Sequence, residues 1–358
     1  MFHRPPFSGL RFERGLFAIC ALLLLVTGAR AHEALELKIV GGLGAVAQYR
    51  EFEEPFWTRE IEHLSDGSIR ATIAPFDRSG LSSEDLLPLL RLGVVPFATV
   101  LAAVASADEP ELAAVDLPGL NPDIATLRRV VAAFRPRLSE ILSDRYDAEL
   151  LAVYTYPAQV MLCRTPFSSF EDLRGRRIRT SSASQSDFVS GLGAVGVVIP
   201  FAELREAFQA DVVDCVITSA SSGRQIGVTQ LASHMHAMAL SWGISLFAAN
   251  HGAWRKIQAD RRDTILRGLS DLESRIWDAA ARETALPFEC ALNTTACEDP
   301  AGLAHMLIVP RKAEDERERE RLLAEVLLPR WLDRCGSSCG TSWNRYIAPV
   351  VGSKVPTR

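Results

Sequence analysis

The sequence predicts an α/β protein of two lobes that face each other across a cleft. Short β-branched runs alternate with amphipathic stretches in the order βαβαβ, once over about residues 35–100 and again over 178–218. Parallel strands need helical crossovers, so each run reads as one layered α/β unit. The chain has 358 residues, 48% of them hydrophobic, which is enough to fill two cores.

Met1 to Arg14 carries Arg4, Arg11 and Arg14 against Glu13. The apolar run Leu16–Val26 follows, then the small-residue pattern Ala29-Arg30-Ala31. A basic start, a short apolar core and an A-x-A site form a secretory signal peptide over residues 1–31. A retained anchor is the rival reading, but the run is short for a bilayer. The absence of an Arg-Arg pair argues against export of a prefolded cofactor protein. Cleavage leaves a chain more acidic than the full-length net charge of −5, a poor partner for nucleic acid or anionic membranes.

In the first unit the pattern predicts strands over Leu35–Val40, Ser68–Phe76 and Val95–Val100. Helices fall over about Tyr49–Leu64 and Ser83–Leu92, the latter weakened by Pro88. The connecting segment is helical and loop-like, with a helix over Arg128–Ser143. The second unit has strands over Ile178–Ser181, Val197–Pro200 and Val212–Thr218. Its helices are marked by Phe188, Val189 and Leu192, and by Phe201, Leu204 and Phe208. A strand over Ser245–Asn250 precedes a long helix over Asp260–Ala285. There Ile265, Leu266, Leu269, Leu272, Ile276 and Trp277 recur at helical spacing and Asp260 caps the start. Arg311–Leu323 is a charge run, read as a solvated helix with i,i+4 pairs.

Export permits disulfides. Cys290 and Cys297 are close in sequence, as are Cys335 and Cys339. Both pairs stand in polar segments and read as local disulfides, with zinc as the rival. Cys163 and Cys215 fall in apolar strands and read as free core thiols. Gly191-Leu-Gly193-Ala-Val-Gly196 is a literal G-x-G-x-x-G, but it closes a helix and precedes a strand. A dinucleotide fingerprint does the reverse, so these glycines read as a helix end and turn. Gly42-Leu-Gly44-Ala-Val-Ala47 follows a strand, but its nearest strand-end acid, Asp77, comes late. G-x-S-x-G, H-E-x-x-H and P-loop motifs are absent, and His234 and His236 read as structural rather than metal-binding. No cofactor, metal or enzymatic activity is expected.

Ligands of open α/β sheets bind beyond the carboxyl ends of strands. Arg179 stands there, followed by Thr180, Ser181, Ser182 and Ser184; the neighbouring strand ends in Thr218, Ser219, Ser221 and Ser222. Arginine grips a carboxylate with two parallel hydrogen bonds. The rival reading makes Arg179 a salt-bridged member of the "RGRRIR" cluster.

"FSSFEDLRGRRIR" followed by "LGAVGVVIPFAELREAFQADVVD" closely resembles the extracytoplasmic solute receptors of TRAP transporters, the DctP-type branch. "LKIV", "FWTREIEHLSDGSIRATIAPF" and "LLPLLRLGVVPFATV" resemble that family in the first lobe. The resemblance runs over about residues 35–350. It implies a Venus-flytrap fold with a long helix crossing both lobes. The lobe boundaries are then 32–156 with 244–282 for lobe 1 and 157–243 with 283–350 for lobe 2, ending in a tail over 351–358. It implies a periplasmic receptor that delivers a small organic acid to a TRAP membrane permease; a sensor of the same fold is the alternative, and an exported enzyme a more remote one. The family's carboxylate-gripping arginine falls on Arg179, its pocket aromatic on Phe201, and its strand-end asparagine on Thr218. Polar contacts fall near Ser182, and a second arginine of some members falls on Gln159. "VDCVITSAS" departs from the family pattern, lacking its Gly, Gln, Glu and Asn. Trp242 is expected to wall the pocket beside Phe201. Tyr154, Tyr156 and Gln159 lie near the first crossing between lobes and are expected to select the ligand.

Overall fold

The computed structural model describes residues 1–3, 34–292 and 306–357, with 286–292 described by backbone alone. The leader and the Cys290–Cys297 pairing lie outside the described residues. Leu35–Arg358 forms one compact unit. Its strands are β1 (Leu35–Gly41), β2 (Ile69–Pro75), β3 (Phe97–Leu101), β4 (Ala148–Thr155), β5 (Gln159–Cys163), β6 (Arg177–Thr180), β7 (Val195–Val198), β8 (Cys215–Ser219), β9 (His234–His236), β10 (Ile244–Asn250) and β11 (Leu307–Val309).

They form two mixed sheets, ordered β2-β1-β3-β10-β4 and β11-β9-β5-β8-β6-β7. Within each, the three strands of the predicted βαβαβ run are parallel: β1 to β2 and β3, β6 to β7 and β8. Strands running against them join each sheet, β10 beside β3 and β4, and β5 beside β8 and β9. These reversed strands carry the chain between sheets. β4 leaves the first sheet and β5 enters the second with only Tyr156, Pro157 and Ala158 between them, and the chain returns from β9 to β10. β4 is not marked in the sequence, because its apolar run follows a helix without a Gly or Pro turn signal. Asp147, in the left-handed region at φ 47°, is the turn that separates them.

Both faces of the first sheet are covered, which is why β10 is buried along its whole length. One face takes Phe56, Trp57 and Ile61 together with Ile265, Leu269, Leu272 and Ile276 of the long helix Ala259–Leu292. The other takes Leu127, Val130, Phe134 and Leu138 of the helix Ile124–Tyr146. The long helix has 34 residues, about 50 Å at 1.5 Å per residue. Its Trp277 indole donates to Val153 O of β4, and its Thr284 hydroxyl accepts from Ala158 N at the crossing.

The structure corrects the reading of Cys163 and Cys215, which are joined in a disulfide. They are partners in the antiparallel β5–β8 register, with Cα atoms 4.1 Å apart. Arg164 N donates to Asp214 O at the adjoining position, so the cysteines occupy the close, non-hydrogen-bonded kind of pair that suits a cross-strand bridge. Cys335 and Cys339 are also joined, with Cα atoms 5.9 Å apart. The C-terminal segment touches both halves. Leu322 and Leu327 join the second sheet's core, and Arg330 and Arg334 pair with Asp187. Trp331, Trp343 and Ile347 share a core with the helix Ile124–Tyr146, where Phe134 meets Tyr346 edge-on. The charge run forms the helix Ala313–Leu322, paired at i,i+3 as well as i,i+4. It is not wholly solvated: Arg319 is buried and donates to Gly119 O.

Candidate functional site

A cavity of about 670 Å³ opens between the two sheets. Its walls are the segments that leave the carboxyl ends of β1, β2 and β3 on one side and of β6, β7 and β8 on the other. The crossing residues Tyr156, Gln159 and Gly243 also line it. This is where an α/β sheet presents loops and helix starts to a ligand.

The first wall is mainly apolar, with Leu43, Val46, Phe76, Leu101 and Val104, beside the acids Asp77 and Glu84. The loop after β1 contains the glycines of the second dinucleotide-like pattern, and its amides are already occupied. Gly42 N donates to Glu53 Oε2 at 3.0 Å and Gly44 N to Asp77 Oδ1 at 3.0 Å. A Cβ on Gly42 would stand 2.9 Å from Glu53 Oε1, and one on Gly44 2.8 Å from Pro75. These glycines permit close packing around the protein's own carboxylates, not a phosphate. Glu53 is fully buried; burial raises its pKa, against hydrogen bonds from Gln48, Thr99 and Gly42.

The second wall is polar. Arg179 is the penultimate residue of β6, at its carboxyl end, and only 3% exposed. Nε donates to Ile199 O at 2.8 Å and Nη1 to Ile217 O at 3.0 Å. No carboxylate pairs with it among the described residues, and burial pushes its pKa down to about 9. Arg177, two positions earlier, is the salt-bridged member of the cluster, fork-bonded to Asp214 at 2.7 and 3.2 Å. The cation in the cavity therefore carries a desolvation cost that the protein does not offset with a counter-charge.

Ser182 lines the cavity and caps the helix Ala183–Gly191, accepting from Gln185 N at 3.3 Å. Thr218 and Phe201 also line it. At the crossing, Gln185 Nε2 donates to Gln159 Oε1 at 2.8 Å and to Ser241 Oγ at 2.9 Å, and Ser181 N donates to Gln185 Oε1 at 2.8 Å. Gly243 has φ 86°, and a Cβ there would stand 2.8 Å from Gln159 Nε2. The tight turn and the close amide both call for glycine.

Six of the eight residues expected to contact the ligand thus surround one cavity, Arg179, Ser182, Phe201, Thr218, Tyr156 and Gln159, together with the strand-end serines Ser181, Ser219 and Ser222. Trp242 and Tyr154 do not line it. The Trp242 indole is buried and donates to Asn121 O at 3.0 Å, while its backbone N donates to Asp116. It holds the second crossing in place. Tyr154 faces the core shared with the long helix and stacks on Phe247 at 6.3 Å, the side of β4 opposite to its strand neighbour Val153. Gln185 and the whole first wall were missed. The strand-end rule that found Arg179 applies equally to β1, β2 and β3, but the cavity side chains after those strands include no cation that points to an anionic ligand. Among the described residues no group of three or more His, Cys, Asp or Glu is arranged to hold a metal.

Residues 48–285 match the family model of the bacterial extracellular solute-binding proteins, family 7 (DctP). The chain belongs to this family. That family is one of solute-binding receptors and not of enzymes. A comparison with curated proteins found no match. Among solved structures, this solute-binding protein is similar to DctP7 of Bordetella pertussis, an extracytoplasmic solute receptor binding pyroglutamic acid. The identity is 20%, covering 87% of this chain and 99% of that one, with a TM-score of 0.74. A marine metagenome TRAP solute-binding protein specific for pyroglutamate is 17% identical over 88% of this chain and 99% of its own, with a TM-score of 0.75. A TRAP periplasmic solute-binding protein of Shewanella oneidensis with bound succinate is 15% identical over 86% and 98%, with a TM-score of 0.72. At these identities the likeness establishes the two-lobed fold.

Proposed function

We propose that this solute-binding protein works in the periplasm, captures a small organic carboxylate between its lobes and delivers it to a TRAP membrane permease, without covalent chemistry. The observation that carries the reading is Arg179: a buried cation without a counter-charge, lining the interlobe cavity. Two of its donors are spent on carbonyls, which fixes the plane of the guanidinium; Nη2 has no protein acceptor among the described residues. A carboxylate arriving there supplies both the missing charge and the missing acceptors. The solved receptors that resemble the chain are described with carboxylic acids, including pyroglutamate and succinate. The leader supports export, and no helix among the described residues is long and apolar enough to cross a membrane.

Calorimetry tests the reading with the acid that co-purifies, identified by native mass spectrometry. Arg179→Lys keeps the charge but loses the planar fork, so affinity should fall by at least about tenfold, one decade being about 1.4 kcal/mol. Arg179→Ala should lose more, because the ligand would be desolvated without a partner. Circular dichroism checks folding. Wild-type affinity in a folded Arg179→Ala protein would remove the carboxylate clamp.

A further inference from the structure

We infer that the ligand carries one negative charge on a largely apolar body: a monocarboxylate, not a dicarboxylate. The inference rests on the carboxylate reading of Arg179 and asks what the rest of the cavity does with a second charge. Among the described residues that line it, Arg179 is the one cation, whereas Asp77, Glu84 and Glu203 are acids. The first carboxylate of a ligand neutralises Arg179. A second would enter a partly desolvated space whose remaining charges all repel it.

The backbone amides and side-chain amides that might hold a second carboxylate are engaged within the protein. The donors left beside the cavity are neutral hydroxyls, among them Ser83, which has no hydrogen-bond partner among the described residues. Gly42 N and Gly44 N are bonded to Glu53 and Asp77. The helix starts beside the cavity are capped by their own serines, Ser182 accepting from Gln185 N and Ser219 from Ser222 N. Gln159 and Gln185 are tied to each other, with Gln185 also bonded to Ser241 and Ser181. What remains suits a neutral body: Leu43, Val46 and Phe76 face the cavity from one side, Ile199 and Phe201 from the other. Hydroxyls such as Thr218 can orient an ether, keto or hydroxyl oxygen without requiring charge. The solved relatives do not decide the matter, since pyroglutamate has one carboxylate and succinate two.

The test uses matched pairs of acids that differ by one carboxylate: 3-phenylpropanoate with phenylsuccinate, and hexanoate with adipate. Binding to the mature protein is measured by calorimetry and thermal shift at neutral pH and low ionic strength. The acid released from freshly purified protein on denaturation is identified by mass spectrometry. The monoanion of a pair should bind at least about 100-fold more tightly than its dianion, the scale expected when a buried charge is left unpaired, and the released acid should hold one carboxyl group. Equal or tighter binding of the dianions, or a released acid with two carboxyl groups, would overturn the inference. If Arg179→Ala still abolished that binding, the carboxylate reading would stand while this one fell. A released ligand with no carboxyl group, bound equally well by Arg179→Ala, would remove both.

Discussion

The two walls of the cavity are built from the same element order but are opposite in chemistry. The wall on the second sheet carries the unpaired cation and most of the hydroxyls; the wall on the first sheet is mainly apolar, its charges are the acids Asp77 and Glu84, and the Gly42 and Gly44 amides are turned onto Glu53 and Asp77. The second sheet is also stapled by Cys163–Cys215 between β5 and β8, whose opposite ends present Gln159 and Thr218 to the cavity. On the proposed carboxylate reading, the difference teaches a division of labour: one lobe would recognise the charge and hold it on a pinned frame, and the other would enclose the uncharged remainder.

The largest effect should come from removing the staple. Replacing Cys163 and Cys215 together by Ala reopens a loop with a sequence separation of 52, which on chain entropy alone lowers stability by about 4 kcal/mol. Urea unfolding of the oxidised parent and the double variant measures this; equal midpoints would mean the frame does not depend on the bridge. On the enclosing wall, Leu43→Ala should weaken ligand binding by about tenfold, the scale of a leucine side chain losing part of its apolar contact to the ligand. It should leave the order of preference among acids unchanged, whereas Arg179→Lys should alter that order. A changed order in Leu43→Ala would blur the division between walls.

The junction between the walls has its own signature. Asp116 accepts from Trp242 N and Gly243 N, and burial raises its pKa to about 7 despite those bonds and Asn121. Its ordinary value is 3.8, so between those two values the native state holds the proton more often than the unfolded one. Stability therefore falls as pH rises from about 4 to 7, by up to about 1.4 kcal/mol per pH unit from this group. Asp116→Asn should lack that slope when melting is followed across the window. A slope identical to wild type would place the titration elsewhere. The smallest effect belongs to Arg176, which holds Thr165 and Pro166 at the far end of β6. Arg176→Ala should keep ligand affinity within about twofold, since a charge more than a Debye length away is largely screened. A loss as large as that of Arg179→Lys would mean the cluster acts as a general positive field.

Local pattern was enough for the elements that position the site. β-branched runs and helical spacing placed β1–β3, β6–β8 and the long helix to within a few residues, because period and turn chemistry are properties of neighbouring residues. The same logic put Arg179 at a strand end and read Gly193 as a turn, where it has φ 76°. Contacts between distant segments were decided only by the tertiary structure. Cys163 meets Cys215 through the register of two antiparallel strands, and nothing within either apolar run records that register. Trp242 and Tyr154 look like pocket residues from their place near the crossings. Which way each side chain points depends on the strand's pleat and on Asp116, Asn121 and Phe247, brought in from far along the chain. The side on which the C-terminal helices pack was likewise undetermined, since an amphipathic face specifies that it must be buried but not against which partner.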